Sequence, residues 1–120
     1  MYNHMVVHPS LSSAEIDRVF HALADGTRRD IVARAMAGEA SSVSTIAARY
    51  DMSFAAVQKH VAVLADAGLV TKEAQGRERI VRGNPEQVAR ARDLLTQLES
   101  LWRERFARLD SVLANPQPPE

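Results

Sequence analysis

Three side chains that can donate hydrogen bonds or carry charge stand on one turn of a predicted helix. They are Gln58, Lys59 and His60, in the segment "MSFAAVQKHVAVLADAGLV" (52–70), whose exposed face is otherwise mostly alanine. An amide, an ammonium and an imidazole are groups that bind base edges and phosphates. Catalysis would need a nucleophile, a base and an orienting group, or a glycine-rich phosphate loop, and the sequence offers none of these sets. We therefore interpret the cluster as a binding surface and predict that the protein is not an enzyme.

The composition is that of one globular domain. The chain has 120 residues, of which 46% are hydrophobic and 25% charged, with no cysteine and a net charge of zero. No apolar run reaches the roughly 20 residues that span a membrane, and the first ten residues lack the features of a signal peptide. We expect a cytoplasmic protein with no membrane partner and no disulfide.

Capping signals divide the first half of the chain into helices. Ser12 and Glu15 form a capping box for helix 1, about 13–24, and residues 1–11 are expected to be a flexible leader. Asp25 caps helix 2, which ends at Gly38 after Ile31, Val32, Ala35 and Met36 pack inward. A short helix 3 is predicted from about Thr45 to Tyr50 with Ser44 as its cap.

Ser53 then caps helix 4, about 54–67, after a turn so short that helices 3 and 4 must cross steeply, as in a helix-turn-helix. Val57, Val61 and Leu64 form its buried stripe, and Gly68 fits the end of a Schellman motif. A β-hairpin follows over about 69–82, turning at Gln75-Gly76.

The last helix, helix 5, is predicted over about 85–114, with Asn84 as cap, Pro85 in the first position and Gln87 closing a capping box. Residues 115–120 read as a disordered tail. Residues 12–114 are thus predicted to form a mainly α domain with a small β-hairpin. Its architecture is a winged helix-turn-helix in the order α-α-α-α-β-β-α.

This architecture predicts how the polar cluster is used. Helix 4 is expected to enter the DNA major groove, while the hairpin reaches the neighbouring backbone or minor groove through Arg77 and Arg79, which alternation should place on one face. The predicted DNA-binding residues are Ser53, Ala55, Ala56, Gln58, Lys59, His60, Arg77 and Arg79. His60 has an alternative reading as a core-edge residue beside Val57 and Leu64, and Arg28 and Arg29 could pair with a carboxylate or contact DNA.

Helix 5 carries a broader apolar stripe than a domain of this size can cover, so we predict a dimer through helices 1 and 5. The predicted dimerisation residues are Ile16, Phe20, Leu95, Leu98, Trp102, Phe106 and Leu109.

From about Val19 to Pro85 the sequence resembles the ArsR-type winged-helix regulators. The resemblance lies in "ALADGTRRDIV", "DMSFAAVQKHVAVLADAGLV" and "GRERIVR". It implies a homodimer that binds a partly palindromic operator on double-stranded DNA and usually represses. The sequence departs from the family pattern at Gly26 and Ala55, where proline is usual, and at Gln58, where serine is frequent.

The metal sites known in this family are not predicted here. The segment matching a Cys-x-Cys site reads "SVSTIAARY", and helix 5 has carboxylates but no histidine. We therefore expect a cysteine-free, non-metal-sensing type with no cofactor and an inducer that the sequence does not identify. It would act in the bacterial cytoplasm, associated with the nucleoid when bound to DNA.

A second hypothesis is a protein-interaction module that kept the winged-helix scaffold without specific DNA binding. The zero net charge favours this hypothesis, because DNA-binding domains are often basic.

Overall fold

The computed structural model describes residues 10–114, so most of the predicted leader and the whole predicted tail lie outside the described residues. The helices are α1 (Ser13–Leu23), α2 (Gly26–Met36), α3 (Val43–Ala47), α4 (Phe54–Asp66) and α5 (Pro85–Ala114). The strands are β1 (Ser41–Ser42), β2 (Val70–Gln75) and β3 (Glu78–Gly83). The mainly helical winged helix-turn-helix fold is confirmed.

The first two helices begin where their caps predict. Ser12 Oγ accepts from the Glu15 amide at 3.1 Å, and the Ser12 amide donates to Glu15 Oε1 at 2.8 Å. These bonds to Ser12 also lower the pKa of the Glu15 carboxyl. Asp25 caps α2 in the same way, accepting from the Arg28 amide at 3.0 Å.

The core lies where α1–α4 and the hairpin meet. Val57, Val61 and Leu64 are at most 1% exposed, as predicted for the buried stripe of α4. The buried apolar residues are Val19, Ala22, Ile31, Val32, Val43, Ile46, Val57, Val61, Leu64, Ala67, Leu69, Val70, Val81 and Ala91. The prediction that Met36 packs inward is wrong, because this residue ends α2 and is 37% exposed, lying beside Gly83 at the end of β3.

The predicted start of helix 3 is also wrong. Ser42, not Ser44, is the cap, and its Oγ accepts from the Thr45 amide at 3.1 Å. Ser41 and Ser42 are extended and pair with β3, so a third strand precedes α3 and the antiparallel sheet has the order β1-β3-β2. Two residues are too few to show an alternating pattern, which is why the sequence did not reveal this strand.

The turn between α3 and α4 is fastened to α2 by a tyrosine. The Tyr50 hydroxyl donates to Asp30 Oδ2 at 2.5 Å. Burial and this bond raise the pKa of Tyr50 to about 12, and the same bond lowers the pKa of Asp30. The turn therefore holds one position relative to the core.

The end of α4 is a Schellman motif, as predicted. Gly68 has φ +77°, its amide donates to Ala65 O at 2.9 Å, and the Leu69 amide donates to Leu64 O at 3.0 Å. The motif turns the chain directly into β2, which places the hairpin beside α4.

The hairpin turn lies one residue later than predicted. Gln75 pairs with Glu78, so the loop is Gly76-Arg77, with φ +61° at Gly76. A positive φ at the first loop residue is what a type II′ turn requires. Arg77 is consequently a turn residue, and the argument from strand alternation does not apply to it.

The capping box predicted for α5 does not form. The Asn84 amide donates to Leu69 O at 3.0 Å, and the side chains of Asn84 and Gln87 donate to Gly68 O and Ala67 O at 2.8 and 2.9 Å. The carbonyls of Ala67 and Gly68, which directly follow α4, have no helical partner, and these side-chain amides supply one. Gln87 is 6% exposed, so this contact fixes the start of α5 against the end of α4.

Most of α5 is not covered by any other part of residues 10–114. Its buried residues are Gln87 and Ala91, and every residue from Leu95 to Ala114 is exposed. No helix among residues 10–114 is both long enough and apolar enough to cross a membrane.

The first turn of α2 offers a stability test at Gly26. The preceding Asp25 has φ −114° and ψ 133°, which a following proline permits, and a Cβ on Gly26 would meet its nearest atom at 3.8 Å. We expect Gly26→Pro to raise the free energy of unfolding by about 0.4–1 kcal/mol, because proline suits the first helical position and restricts the unfolded chain. Urea unfolding measures this change.

Gly26→Ala is the matched control and should give a smaller gain, since it adds the side chain without locking φ. A proline variant less stable than the wild type, beside an alanine variant that is not, would contradict the assigned helix start.

Candidate nucleic-acid interface

The face of α4 opposite its buried stripe combines small and reaching side chains. Ala55, Gln58 and Lys59 are exposed, and Ser53 Oγ caps the helix by accepting from the Ala56 amide at 3.1 Å. Ala56 is half-buried on the flank of the helix, next to α2 rather than on the exposed face. The structure thus brings four of the predicted α4 residues together at one surface.

His60 lies on that same flank and is held there. Its Nδ1 is 3.2 Å from Arg28 Nη1 and 4.0 Å from Asp25 Oδ2, with its side chain 20% exposed. A guanidinium can only donate, so Nδ1 accepts and the ring proton lies on Nε2. His60 therefore connects α4 to the α1–α2 junction. The sequence interpretations, a DNA contact or a core-edge residue, did not include this role. The same junction lowers the pKa of Asp25, chiefly through the Arg28 amide and also through the charge of the Arg28 guanidinium.

Arg28 and Arg29 terminate α1. Arg28 Nε donates to Ala22 O at 2.7 Å and Nη2 to His21 O at 3.1 Å, while Arg29 Nη1 donates to Leu23 O at 2.8 Å. The last carbonyls of a helix lack intrahelical partners, and cationic donors are favoured there. The alternatives left open by the sequence, a carboxylate or DNA, are therefore not the main contacts of these side chains.

The hairpin has two faces of different charge. Lys72 pairs with Val81 and Ala74 with Arg79, so Lys72 and Arg79 lie on the face that also carries the buried Val70 and Val81. The opposite face carries the exposed ion pair of Arg82 Nε with Glu73 Oε2 at 3.3 Å, together with Glu78. We call the β2–β3 hairpin the wing. Its cations Lys72 and Arg79 thus lie on the face opposite its carboxylates Glu73 and Glu78.

A crevice of about 260 Å³ separates α4 from the wing. Its lining residues are Val43, Gln58, Val61, Lys72 and Arg79. Of the predicted wing residues, Arg79 lines this crevice together with Gln58, whereas Arg77 lies in the turn.

Two surface residues of α4 and the hairpin were missed by the sequence reasoning. Lys72 was not among the predicted site residues, although its register with Val81 places it beside Arg79 once the hairpin is aligned. Phe54, the first residue of α4, is 46% exposed, and an aromatic residue at that position of a groove-reading helix was itself a usable signal.

Residues 10–114 contain no group of three or more His, Asp or Glu side chains placed to hold a metal ion.

The order α3, tight turn, α4 and hairpin defines the winged helix-turn-helix class. Residues 23–73 match a family described as a helix-turn-helix domain. The chain is 38% identical over 86 residues to the HTH-type transcriptional regulator Rv2034 of Mycobacterium tuberculosis, covering 72% of this chain and 77% of that protein.

Two solved structures extend the comparison. An ArsR-like transcriptional regulator from Rhodococcus sp. RHA1 superposes with a TM-score of 0.73 at 30% identity, covering 82% of this chain and 92% of that one. The homodimeric winged helix-turn-helix DNA-binding domain of Mb0332 from Mycobacterium bovis, a possible ArsR-family regulator, gives 0.58 at 26% identity, covering 77% and 90%. The chain belongs to the ArsR family of winged helix-turn-helix transcriptional regulators. It is therefore a transcriptional regulator of a DNA-binding type and not an enzyme.

The role of Arg28 can be tested by stability. We expect Arg28→Met to lower the free energy of unfolding by about 1.5–3 kcal/mol, because two helix-end carbonyls and His60 lose a charged donor. Arg18→Met, on the exposed side of α1, is the control and should cost less than about 0.5 kcal/mol. Thermal and urea unfolding measure both. An Arg28 variant with wild-type stability but weaker DNA binding would instead make Arg28 a DNA contact.

Proposed function

We propose that this protein is a homodimeric, sequence-specific repressor of a partly palindromic operator. The observation that carries the proposal is the shared surface of α4 and the wing, where exposed small and polar residues adjoin two cations. Each subunit would place one α4 in the major groove, with the two half-sites about 34–36 Å apart. The protein would act in the bacterial cytoplasm, on the nucleoid when DNA is bound.

The exposed face of α4 would read the bases. Ala55 permits close approach, Gln58 can pair with adenine, and Lys59 can reach guanine or a phosphate. Ser53 and the free amides of the first helical turn would meet a phosphate. On the flank, the Ala56 methyl and the His60 Nε2–H would contact the DNA edge nearest α2.

The wing would contact the DNA outside the major groove. Arg77, in the turn at its tip, and Arg79, on its inner face, are suited to phosphates or to a narrow minor groove. These contacts carry little sequence information and would set the orientation of α4.

The dimer would form through α1 and α5, the dimerisation helices of the domain proposed for residues 12–114. The large apolar side chains of α5 from Leu95 to Leu113 are 53–71% exposed, and Trp102 stacks on Phe106 with ring centroids 6.3 Å apart. On α1, Ile16 and Phe20 are half-buried and could extend the patch. The proposed contact residues on α5 are Leu95, Leu98, Trp102, Phe106 and Leu109. The homodimeric relative from Mycobacterium bovis supports the formation of a dimer.

The proposed action of the dimer on transcription is repression. It is supported by the usual action of the family and by the physical exclusion that a dimer on promoter DNA imposes.

A charge placed at the cap of α4 tests the proposed phosphate contact. Asp, Asn and Ser are comparable caps, so Ser53→Asp and Ser53→Asn should both keep the thermal stability of the wild type. We expect the aspartate variant to bind operator DNA roughly tenfold more weakly than the asparagine variant, because a carboxylate repels the phosphate. Fluorescence anisotropy measures both affinities. Equal affinities would show that no phosphate approaches this end of α4.

A charge on α5 tests the dimer. Trp102→Glu should raise the dimer dissociation constant roughly 30- to 1,000-fold, since loss of a central aromatic contact costs about 2–4 kcal/mol. Ser100→Glu, about 200° away around the helix, is the matched control and should leave the dimer intact. Sedimentation equilibrium measures the dimer dissociation constant of both variants. A Trp102 variant that remains dimeric would move the interface elsewhere.

A further inference from the structure

The crevice between α4 and the wing has a composition that the reading of bases does not explain. Val43 and Val61 form its apolar part, while Lys72, Arg79 and Gln58 bring an ammonium, a guanidinium and an amide to it. Its lining therefore holds two positive charges, one neutral amide and no carboxylate. Two like charges at one small opening repel each other unless an anion lies between them.

The sheet register keeps the wing carboxylates away from this opening. Glu73 and Glu78 belong to the opposite face of the hairpin, and Glu73 is already paired with Arg82. The nearest acidic groups of the wing therefore do not neutralise Lys72 and Arg79 across the crevice.

We propose that this crevice binds a single phosphate group, held between the Lys72 ammonium and the Arg79 guanidinium, with the Gln58 side chain at its edge. Its volume of about 260 Å³ is below the range of pockets for drug-sized ligands and suits a small anion. Arginine offers a planar pair of donors that matches phosphate oxygens, and lysine adds a point charge. The valine side chains exclude water from one side and so strengthen the attraction.

The phosphate could come from the DNA backbone or from free phosphate in solution. The DNA source rests on the proposed function: the crevice opens between the two elements that would straddle the backbone, and a phosphate there would fix the depth of α4 in the groove. A free anion in the same crevice would compete with the backbone and weaken DNA binding. Lys72 is thereby added to the residues of the interface.

The DNA arm of the test uses duplexes in which one phosphate at a time is replaced by an uncharged methylphosphonate. In the wild-type protein, we expect one position per half-site to weaken binding about tenfold, the worth of a charge-assisted hydrogen bond. Lys72→Ala and Arg79→Ala should abolish the sensitivity at that position. Arg82 lies on β3, as Arg79 does, but on the opposite face of the hairpin. Arg82→Ala is therefore the control and should retain the sensitivity at that position.

The anion arm titrates inorganic phosphate into the full chain without DNA, at ionic strength held constant with sodium chloride, and follows backbone amide resonances by NMR. The site is supported by a saturable chemical-shift change that is confined to residues 58, 72 and 79 and that Arg79→Ala removes. If, in addition, no methylphosphonate position weakens binding, the phosphate that occupies the site is free phosphate.

A backbone position that depends on Lys72 and Arg79 supports the site with DNA as the source. DNA binding without any such position, and no saturable phosphate shift, overturns the site but leaves the proposed function intact. If the wild-type protein binds no DNA at all, the proposed function is contradicted. The phosphate titration would still show whether the crevice binds phosphate.

Discussion

The burial of Val57, Val61 and Leu64 fixes α4, and the other contacts of the domain hold its two ends and its flank. Ser53 caps the start, and the Tyr50–Asp30 bond fastens the preceding turn to α2. His60 joins the flank to Arg28, and Asn84 and Gln87 bind the carbonyls that follow the end of the helix. Because the buried stripe, the flank and the segments at both ends of α4 are held by the rest of the domain, its exposed side is presented as a rigid surface, which lowers the entropic cost of binding DNA.

The zero net charge is compatible with DNA binding because the charges are sorted by position. Arg28 and Arg29 are occupied at the end of α1, and Arg82 is paired with Glu73 on the outer face of the wing. Lys59, Lys72 and Arg79 remain near the exposed side of α4, while α5 carries five carboxylates and five arginines and so adds no net charge. The distribution of the charged side chains, and not the net charge of the chain, sets the local electrostatic potential at a bound phosphate.

Most local signals were predicted from the sequence, and long-range contacts were not. The two predicted caps that failed, at Ser44 and at Asn84 with Gln87, stand where strand pairing and the end of α4 take part. The caps Ser12, Asp25 and Ser53 and the end at Gly68 depend on residues within four positions, and each was confirmed. Gln87 instead bonds Ala67, 20 residues away, and His60 bonds Arg28, 32 residues away. β1 exists only because β3 pairs with it. In the candidate site, the exposed face of α4 followed from periodicity, whereas the crevice required the hairpin register.

The most direct test of the account is the affinity of the full chain for DNA from its own promoter region, compared with random DNA of equal length, over a series of salt concentrations. The account predicts a preference of at least about 10³-fold at physiological salt. It also predicts a logarithm of the binding constant that falls linearly with the logarithm of the salt concentration, because cationic side chains release counterions from the backbone. Equal affinities for the two DNAs, or no binding at low salt, would contradict the central claim that α4 and the wing read a specific site.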